Sequence, residues 1–165
     1  MIDAEVTARA RQVVESCVAR GLMIATAESC TGGLVAAAIT EIPGSSGALA
    51  CGFVAYSNAA KERMLGVANE ILRRDGAVSR ACAEAMAEGA LKNSSADLAV
   101  AITGIAGPSG GSPEKPVGLV HFAAADRAGR RCHREDRFGD IGRTEIRRRS
   151  VLIALAMVEE LATRA

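Results

Sequence analysis

Glu28, Ser29, Cys30 and Thr31 stand directly before the pair Gly32-Gly33, which puts a carboxylate, two hydroxyls and a thiol beside two glycines. The apolar run Leu22-Met23-Ile24-Ala25 ahead of them has the length of a buried strand, and Leu34-Val35-Ala36-Ala37-Ala38-Ile39 behind them reads as a helix. A nucleophile at a strand-to-helix turn faces backbone N–H groups that the first helical turn leaves unpaired, at the positive end of the helix dipole. Such a turn suits an anion or a developing oxyanion next to Ser29. The plain alternative is that Ser29 or Thr31 caps the helix while the glycines permit close packing.

A second group of reactive residues follows the apolar run 49–57, where Tyr56 and Ser57 precede Asn58 and Lys61. Lys61 can serve as a base only after losing its proton, which desolvation or a neighbouring cation such as Arg143 promotes. An exposed helical lysine is the bland reading. A third group is the glycine-rich stretch Thr103-Gly104-Ile105-Ala106-Gly107-Pro108-Ser109-Gly110-Gly111, which lacks the Gly-Lys-Ser/Thr ending of a Walker loop and does not match G-x-G-x-x-G. His121, within a strand pattern, and His133, in a basic segment, are weak bases for a serine hydrolase, a solvent-facing strand position being the default for both. Cys30 is a rival nucleophile, against the reading of a buried, inert thiol.

These groups need a scaffold, and the pattern around them supplies one. Val6, Ala10, Val13 and Cys17 make one helical face ending near Gly21. Strands are predicted near 22–26, 49–57, 97–102 and 117–125, with a polar edge strand at 130–138. Helices are predicted up to Thr40, from Asn58 as cap, over 69–74, from Ser79 through Leu91, and along the terminal stripe Ile146, Ser150, Ile153, Met157 and Leu161. Strands alternating with helices predict a three-layer α/β/α sandwich on a mixed, mostly parallel sheet of about five strands, in one domain spanning 1–165. In such sheets ligands gather beyond the carboxyl ends of the strands, where Glu28-Ser29, Tyr56-Ser57 and Thr103-Gly104 fall.

Composition narrows the classes. The 165-residue chain has a net charge of +1, no Trp and a single Tyr. No apolar run reaches the roughly 18 residues of a membrane span. The acidic start Met1-Ile2-Asp3-Ala4-Glu5 is unlike a signal peptide, so a cytoplasmic protein is expected. Five cysteines without a C-x-x-C pair read as reduced thiols rather than a zinc site. The arginine-rich stretch 127–149 is interleaved with acids and reads mainly as a solvated face, with a phosphate-binding role open for one or two arginines.

Taken together, Ala27-Glu28-Ser29-Cys30-Thr31-Gly32-Gly33, Val54-Ala55-Tyr56-Ser57-Asn58 with Lys61, Thr103-Gly104-Ile105-Ala106-Gly107-Pro108, Pro113-Glu114-Lys115-Pro116-Val117-Gly118, and Gly139-Asp140 leading to Arg143 and Arg147 resemble the CinA C-terminal domain family. The likeness runs from about residue 8 to 163. The resemblance implies a metal-independent nicotinamide-nucleotide amidohydrolase of pyridine-nucleotide salvage, which turns nicotinamide mononucleotide into nicotinate mononucleotide and ammonia without a cofactor. It implies Ser29 as nucleophile, Lys61 as base, and Tyr56, Thr103 and Arg143 as assisting or nucleotide-binding positions. Glu28, Thr31, Gly32, Gly104 and Gly107 are expected to line the substrate site, with Ser46 as an outer member. Arg143 either binds the substrate phosphate or lowers the pKa of Lys61. The molybdopterin-binding-like domain that precedes this unit in longer family members is expected to be missing.

The expected partner is therefore a small nucleotide, with no nucleic acid and no membrane, in a homo-oligomer, a dimer being favoured. The alternative is a non-catalytic nucleotide-binding or competence-associated module. Interleaved acids, near-neutral charge and few aromatic residues weigh against nucleic-acid binding.

Overall fold

The computed structural model describes residues 2–164. Helix α1 (Ala4–Arg20) is opened by the Asp3 carboxylate, which accepts the Val6 N–H at 3.0 Å, and closed by Gly21 in a left-handed conformation. Strand β1 (Ile24–Glu28) leads through a turn to α2 (Leu34–Thr40), and a single 3-10 turn (Ser45–Gly47) leads to β2 (Leu49–Val54). Helices α3 (Asn58–Leu65), α4 (Asn69–Arg74) and α5 (Arg80–Lys92) then precede β3 (Leu98–Gly104), β4 (Leu119–Asp126), β5 (Arg131–Arg137) and the long α6 (Arg143–Arg164).

The five strands form one mixed sheet in the order β2-β1-β3-β4-β5. β1 is parallel to β2 and to β3, while β3–β4 and β4–β5 are antiparallel. Helices cover both faces, so the predicted three-layer architecture is the one found. Ile24, Leu98, Val100, Ile102, Val120 and Phe122 pack toward α1, α2 and α6. On the opposite face the buried hydrophobic side chains of the central strands are Ala25, Ala27, Ala99, Ala101, Ala123 and Ala125, packed with α3, α4 and α5. These alanine methyl groups let α5 lie close to the sheet. Gly89 of α5 extends that closeness outward, since a Cβ there would sit 1.9 Å from the Leu65 carbonyl oxygen of α3.

Several local expectations change. β1 continues to Glu28, so the reactive turn begins later than the run 22–26 predicts. β2 stops at Val54. Ser57, rather than Asn58, caps α3, its Oγ accepting the Ala60 N–H at 3.1 Å. His121 is not solvent-facing: all of β4 is buried because helices cover both of its faces. Its Nδ1 lies 3.1 Å from Nε2 of His133 on β5. The two sheet edges also differ, β5 carrying Arg131, Arg134, Glu135, Asp136 and Arg137 while β2 reads Leu-Ala-Cys-Gly-Phe-Val.

Candidate active site

Ser29 follows the last residue of β1, and its N–H is held by the Ile102 carbonyl of β3 at 2.9 Å. The Ser29 side chain is thus placed by the rigid centre of the sheet. Lys61 reaches it from the first turn of α3. Its Nζ lies 3.0 Å from Ser29 Oγ, 2.9 Å from the Ala55 carbonyl oxygen and 3.2 Å from that of Tyr56.

Lys61 is only 1% exposed. Among the described residues no carboxylate pairs with it, so burial holds the ammonium below its ordinary value, against a smaller opposing influence from the Cys82 and Cys30 thiols and the Tyr56 phenol. A neutral amine has two N–H groups and one lone pair. With the two carbonyls accepting the N–H groups, the lone pair is left for the Ser29 hydroxyl, which is the protonation state a base requires. Linkage has a definite sign here: the unfolded chain binds this proton more tightly, so the stability contribution rises with pH between the depressed folded value and 10.5. Burial is the first cause; the Arg143 guanidinium itself donates to the Gly107 carbonyl and the Tyr56 hydroxyl.

The Glu28 carboxylate, expected to line the substrate site, is turned to the start of α2. It is fully buried, and its Oε2 accepts the N–H groups of Gly33 and Val35 at 3.0 and 3.1 Å while Oε1 accepts that of Ala36 at 2.9 Å. The start of α2 is therefore capped by a carboxylate from the preceding strand, and neither Ser29 nor Thr31 caps it. The α2 amides expected to meet an anion are already occupied. The N–H groups of Cys30 and Thr31, earlier in the turn, donate to no other described residue.

Other expected positions separate in the same way. Thr103 is buried, and its hydroxyl donates to the Ala77 carbonyl at 2.7 Å, tying β3 to the segment before α5 rather than facing a ligand. Thr31 has a fully buried hydroxyl without a partner, so only its backbone can serve the site. Ser46 lies in the turn that enters β2, whereas Ser29 follows the end of its parallel neighbour β1. That places Ser46 at the far end of the sheet, a whole strand away. Gly32 is exposed with φ 62°, and Gly107 is buried with φ 71°.

A crevice of about 290 Å³ is lined by Cys30, Tyr56, Gly104, Ile105, Gly107 and Arg143. At its mouth the Arg143 guanidinium donates to the Gly107 carbonyl at 3.0 Å and to the Tyr56 hydroxyl at 3.4 Å. A larger hollow of about 460 Å³ near Arg63, Glu88 and Lys92 lies elsewhere and contains no buried nucleophile or base. The smaller crevice adjoins the nucleophile and base through their neighbours: Cys30 directly follows Ser29, and the Tyr56 carbonyl accepts from Lys61. Among the described residues no group of three His, Cys, Asp or Glu side chains is placed to hold a metal ion, and no helix is long and apolar enough to cross a membrane.

Cys30 lines the crevice but is 5% exposed, and burial pushes its thiol up to about 12. It is a protonated thiol at neutral pH, a poor nucleophile. Cys30→Ala is expected to keep the rate of the wild-type chain within about threefold, measured with whichever substrate the protein turns over, since it removes one small buried side chain.

The arginine-rich stretch resolves into individual tasks. Arg130, Arg131, Arg134, Arg137, Arg148 and Arg149 pair with carboxylates, and Arg127 donates to carbonyls at the end of α5. Arg143 and Arg147 have no carboxylate partner among the described residues and face the site. Arg147 donates from Nε to the Cys30 carbonyl at 3.1 Å and from Nη2 to the Thr31 carbonyl at 2.9 Å. Its contact with the reactive turn is not visible in composition or charge pattern; the signals are its place in the motif after Gly139-Asp140 and its spacing of four from Arg143, which places both on one face of α6.

Comparison with known proteins places the fold in a family. The model of the CinA C-terminal domain matches residues 6–162. The nicotinamide-nucleotide amidohydrolase PncC of Escherichia coli K12 is 51% identical over 156 residues, covering 94% of this chain and 93% of that protein. A CinA-like protein of Anaeromyxobacter is 51% identical over 146 residues, 88% of this chain but 35% of its own length. The chain thus spans about a third of the length of such CinA-like relatives. The crystal structure of the competence/damage inducible protein CihA from Agrobacterium tumefaciens superposes with a TM-score of 0.96 at 55% identity, over 98% of both chains.

Proposed function

This chain belongs to the CinA C-terminal domain family, and we propose that as a single catalytic domain it hydrolyses the carboxamide of nicotinamide mononucleotide to nicotinate mononucleotide and ammonia. The relative that shares nearly its full length is named for that reaction. The observation that carries the chemistry is the buried Lys61 amine, without a carboxylate partner, 3.0 Å from Ser29 Oγ.

Neutral Lys61 takes the proton of Ser29 as Oγ bonds to the carboxamide carbon. The negative oxygen of the tetrahedral intermediate is received by the unpaired N–H groups of Cys30 and Thr31. Lys61 returns its proton to the departing nitrogen, the C–N bond breaks and ammonia leaves. Water then adds to the ester, giving one proton to Lys61, and Ser29 regains its hydrogen as nicotinate mononucleotide departs. The open face of the crevice, with Arg143 and the Gly104–Gly110 loop, takes the phosphate by charge-assisted and backbone hydrogen bonds. Tyr56 assists from two atoms: its carbonyl accepts from Lys61 and its ring stands 60% exposed at the mouth.

The place of this step is pyridine-nucleotide salvage in the cytoplasm, and the five free cysteines support a reducing compartment. A second copy of the chain is the expected partner, because β2 is an unpaired and uncharged edge of the kind proteins ordinarily cover. Intramolecular pairing of most arginines supports a small-molecule ligand over nucleic acid. The test is ammonia release from nicotinamide mononucleotide in the presence of EDTA. Release by the wild-type chain supports the reading; binding of the nucleotide without release overturns it in favour of a binding module.

A further inference from the structure

Two peptide groups in the reactive turn have their carbonyls held and their N–H groups free, and one side chain stands behind both. Arg147 Nε holds the Cys30 carbonyl at 3.1 Å. In a planar trans peptide the carbonyl of one residue and the N–H of the next point in opposite directions, so this bond aims the Thr31 N–H away from α6. Arg147 Nη2 holds the Thr31 carbonyl at 2.9 Å. The N–H of the same peptide, on Gly32, donates to the Ser29 carbonyl at 3.0 Å. That second bond fixes the peptide whose N–H belongs to Cys30. Both unpaired amides of the turn therefore lie at the ends of short hydrogen-bonded relays that begin at one guanidinium.

We propose that Arg147 is a positioning residue for the oxyanion: it fixes and polarises the Cys30 and Thr31 N–H groups without touching substrate. A peptide whose carbonyl accepts from a cation becomes a stronger donor at its N–H. Arg147 has no carboxylate partner among the described residues, so its charge is not cancelled locally. A lysine would keep the charge but donates all its N–H groups from one nitrogen, and so lacks the planar fork that reaches these two carbonyls from two separate nitrogens. Gly32, with φ 62°, completes the arrangement, because a Cβ there would stand 3.3 Å from Arg147 Nη2. The inference rests on the serine–lysine reading of the site but not on the identity of the substrate.

The test separates the two. Labelling by a fluorophosphonate requires Ser29 Oγ to bond phosphorus, fluoride to leave and Lys61 to take the proton, and its rate depends on oxyanion donors whatever the natural substrate. The rate is measured by mass spectrometry for the wild-type chain, Arg147→Met and Arg147→Lys, beside kcat and KM for nicotinamide mononucleotide and the thermal midpoint. Loss of aimed donors is expected to slow labelling by roughly 10²-fold in Arg147→Met, the scale of one oxyanion-hole donor. The expected pattern is that kcat falls in proportion and KM stays within about threefold, as for an interaction made only in the transition state. Arg147→Lys should recover part of the rate, and the pH midpoint of labelling, set by Lys61, should not move. Unchanged labelling and kcat in Arg147→Met overturn the proposal, as does a rate loss matched by unfolding in both variants. A wild-type chain that labels with this dependence but releases no ammonia keeps the role of Arg147 and discards the substrate. A wild-type chain that releases ammonia while Arg147→Met matches it does the reverse. Failure of the wild-type chain to label at Ser29 removes the serine–lysine reading and the role of Arg147 with it, leaving the substrate to be judged by ammonia release alone.

Discussion

Ser29→Ala is expected to lower kcat for ammonia release by at least about 10⁴-fold, and Lys61→Met by roughly 10³-fold or more, at unchanged folding. The two side chains act on one proton, so the double variant should be no slower than Ser29→Ala alone. The pH dependence carries the sharper check. The reactive form has Lys61 neutral, so kcat/KM must rise with pH through the free-enzyme value of this lysine. Burial places that value below 10.5. The rise should be absent from the residual activity of Lys61→Met. A flat profile in the wild-type chain, or a Lys61→Met variant with near-normal turnover, would remove the lysine from the chemistry.

The largest effect on stability should come from Glu28. Glu28→Ala strips three backbone N–H groups of α2 of their acceptor and leaves a small cavity beneath them. Buried donors without partners and a vacated carboxylate site together cost about 3–5 kcal/mol, which for a chain of this size lowers the thermal midpoint by roughly 10 °C. Glu28→Gln keeps the shape but turns an N–H toward groups that are themselves donors, so it should recover only part. The observation that would restore a substrate-binding role is the converse: an unchanged melting curve with a KM raised tenfold or more.

Glu28 also illustrates what sequence can and cannot convey. A carboxylate beside two glycines at a strand end has the same spelling whether it points to a ligand or to the next helix. Only the extra residues of β1, which bring Glu28 into the sheet, settle its direction. Thr103 ends β3 in the same manner, with its hydroxyl drawn to Ala77 by a segment distant in the chain. Ser46 was legible as a polar loop residue, yet parallel pairing of β1 and β2 sends the beginning of one strand far from the end of the other. A solvent-facing default for His121 fails because helices cover both faces of β4 and bury the whole strand. What pattern alone does convey well is the scaffold: the continuous apolar runs of β3 and β4, the opening of α5 at Ser79, and the apolar stripes of α1 and α6. The neighbours of Ser29 and Lys61 depend on tertiary contacts, and Arg147 most of all, since it meets Cys30 and Thr31 across more than a hundred residues.

The alanine face of the sheet has a consequence for how this protein tolerates change. The six alanines can be altered almost only toward greater bulk, and bulk added there lifts α5 from the sheet. Through the Gly89 contact α5 bears on α3, which carries Lys61. The opposite face, filled by isoleucine, valine and phenylalanine, can trade volume among neighbours, although it also underlies α6, which carries Arg143 and Arg147. Mutational drift should therefore register in different currencies: as a slower enzyme beneath α5, and beneath α1 and α6 as altered melting behaviour first, reaching the rate only where α6 itself shifts.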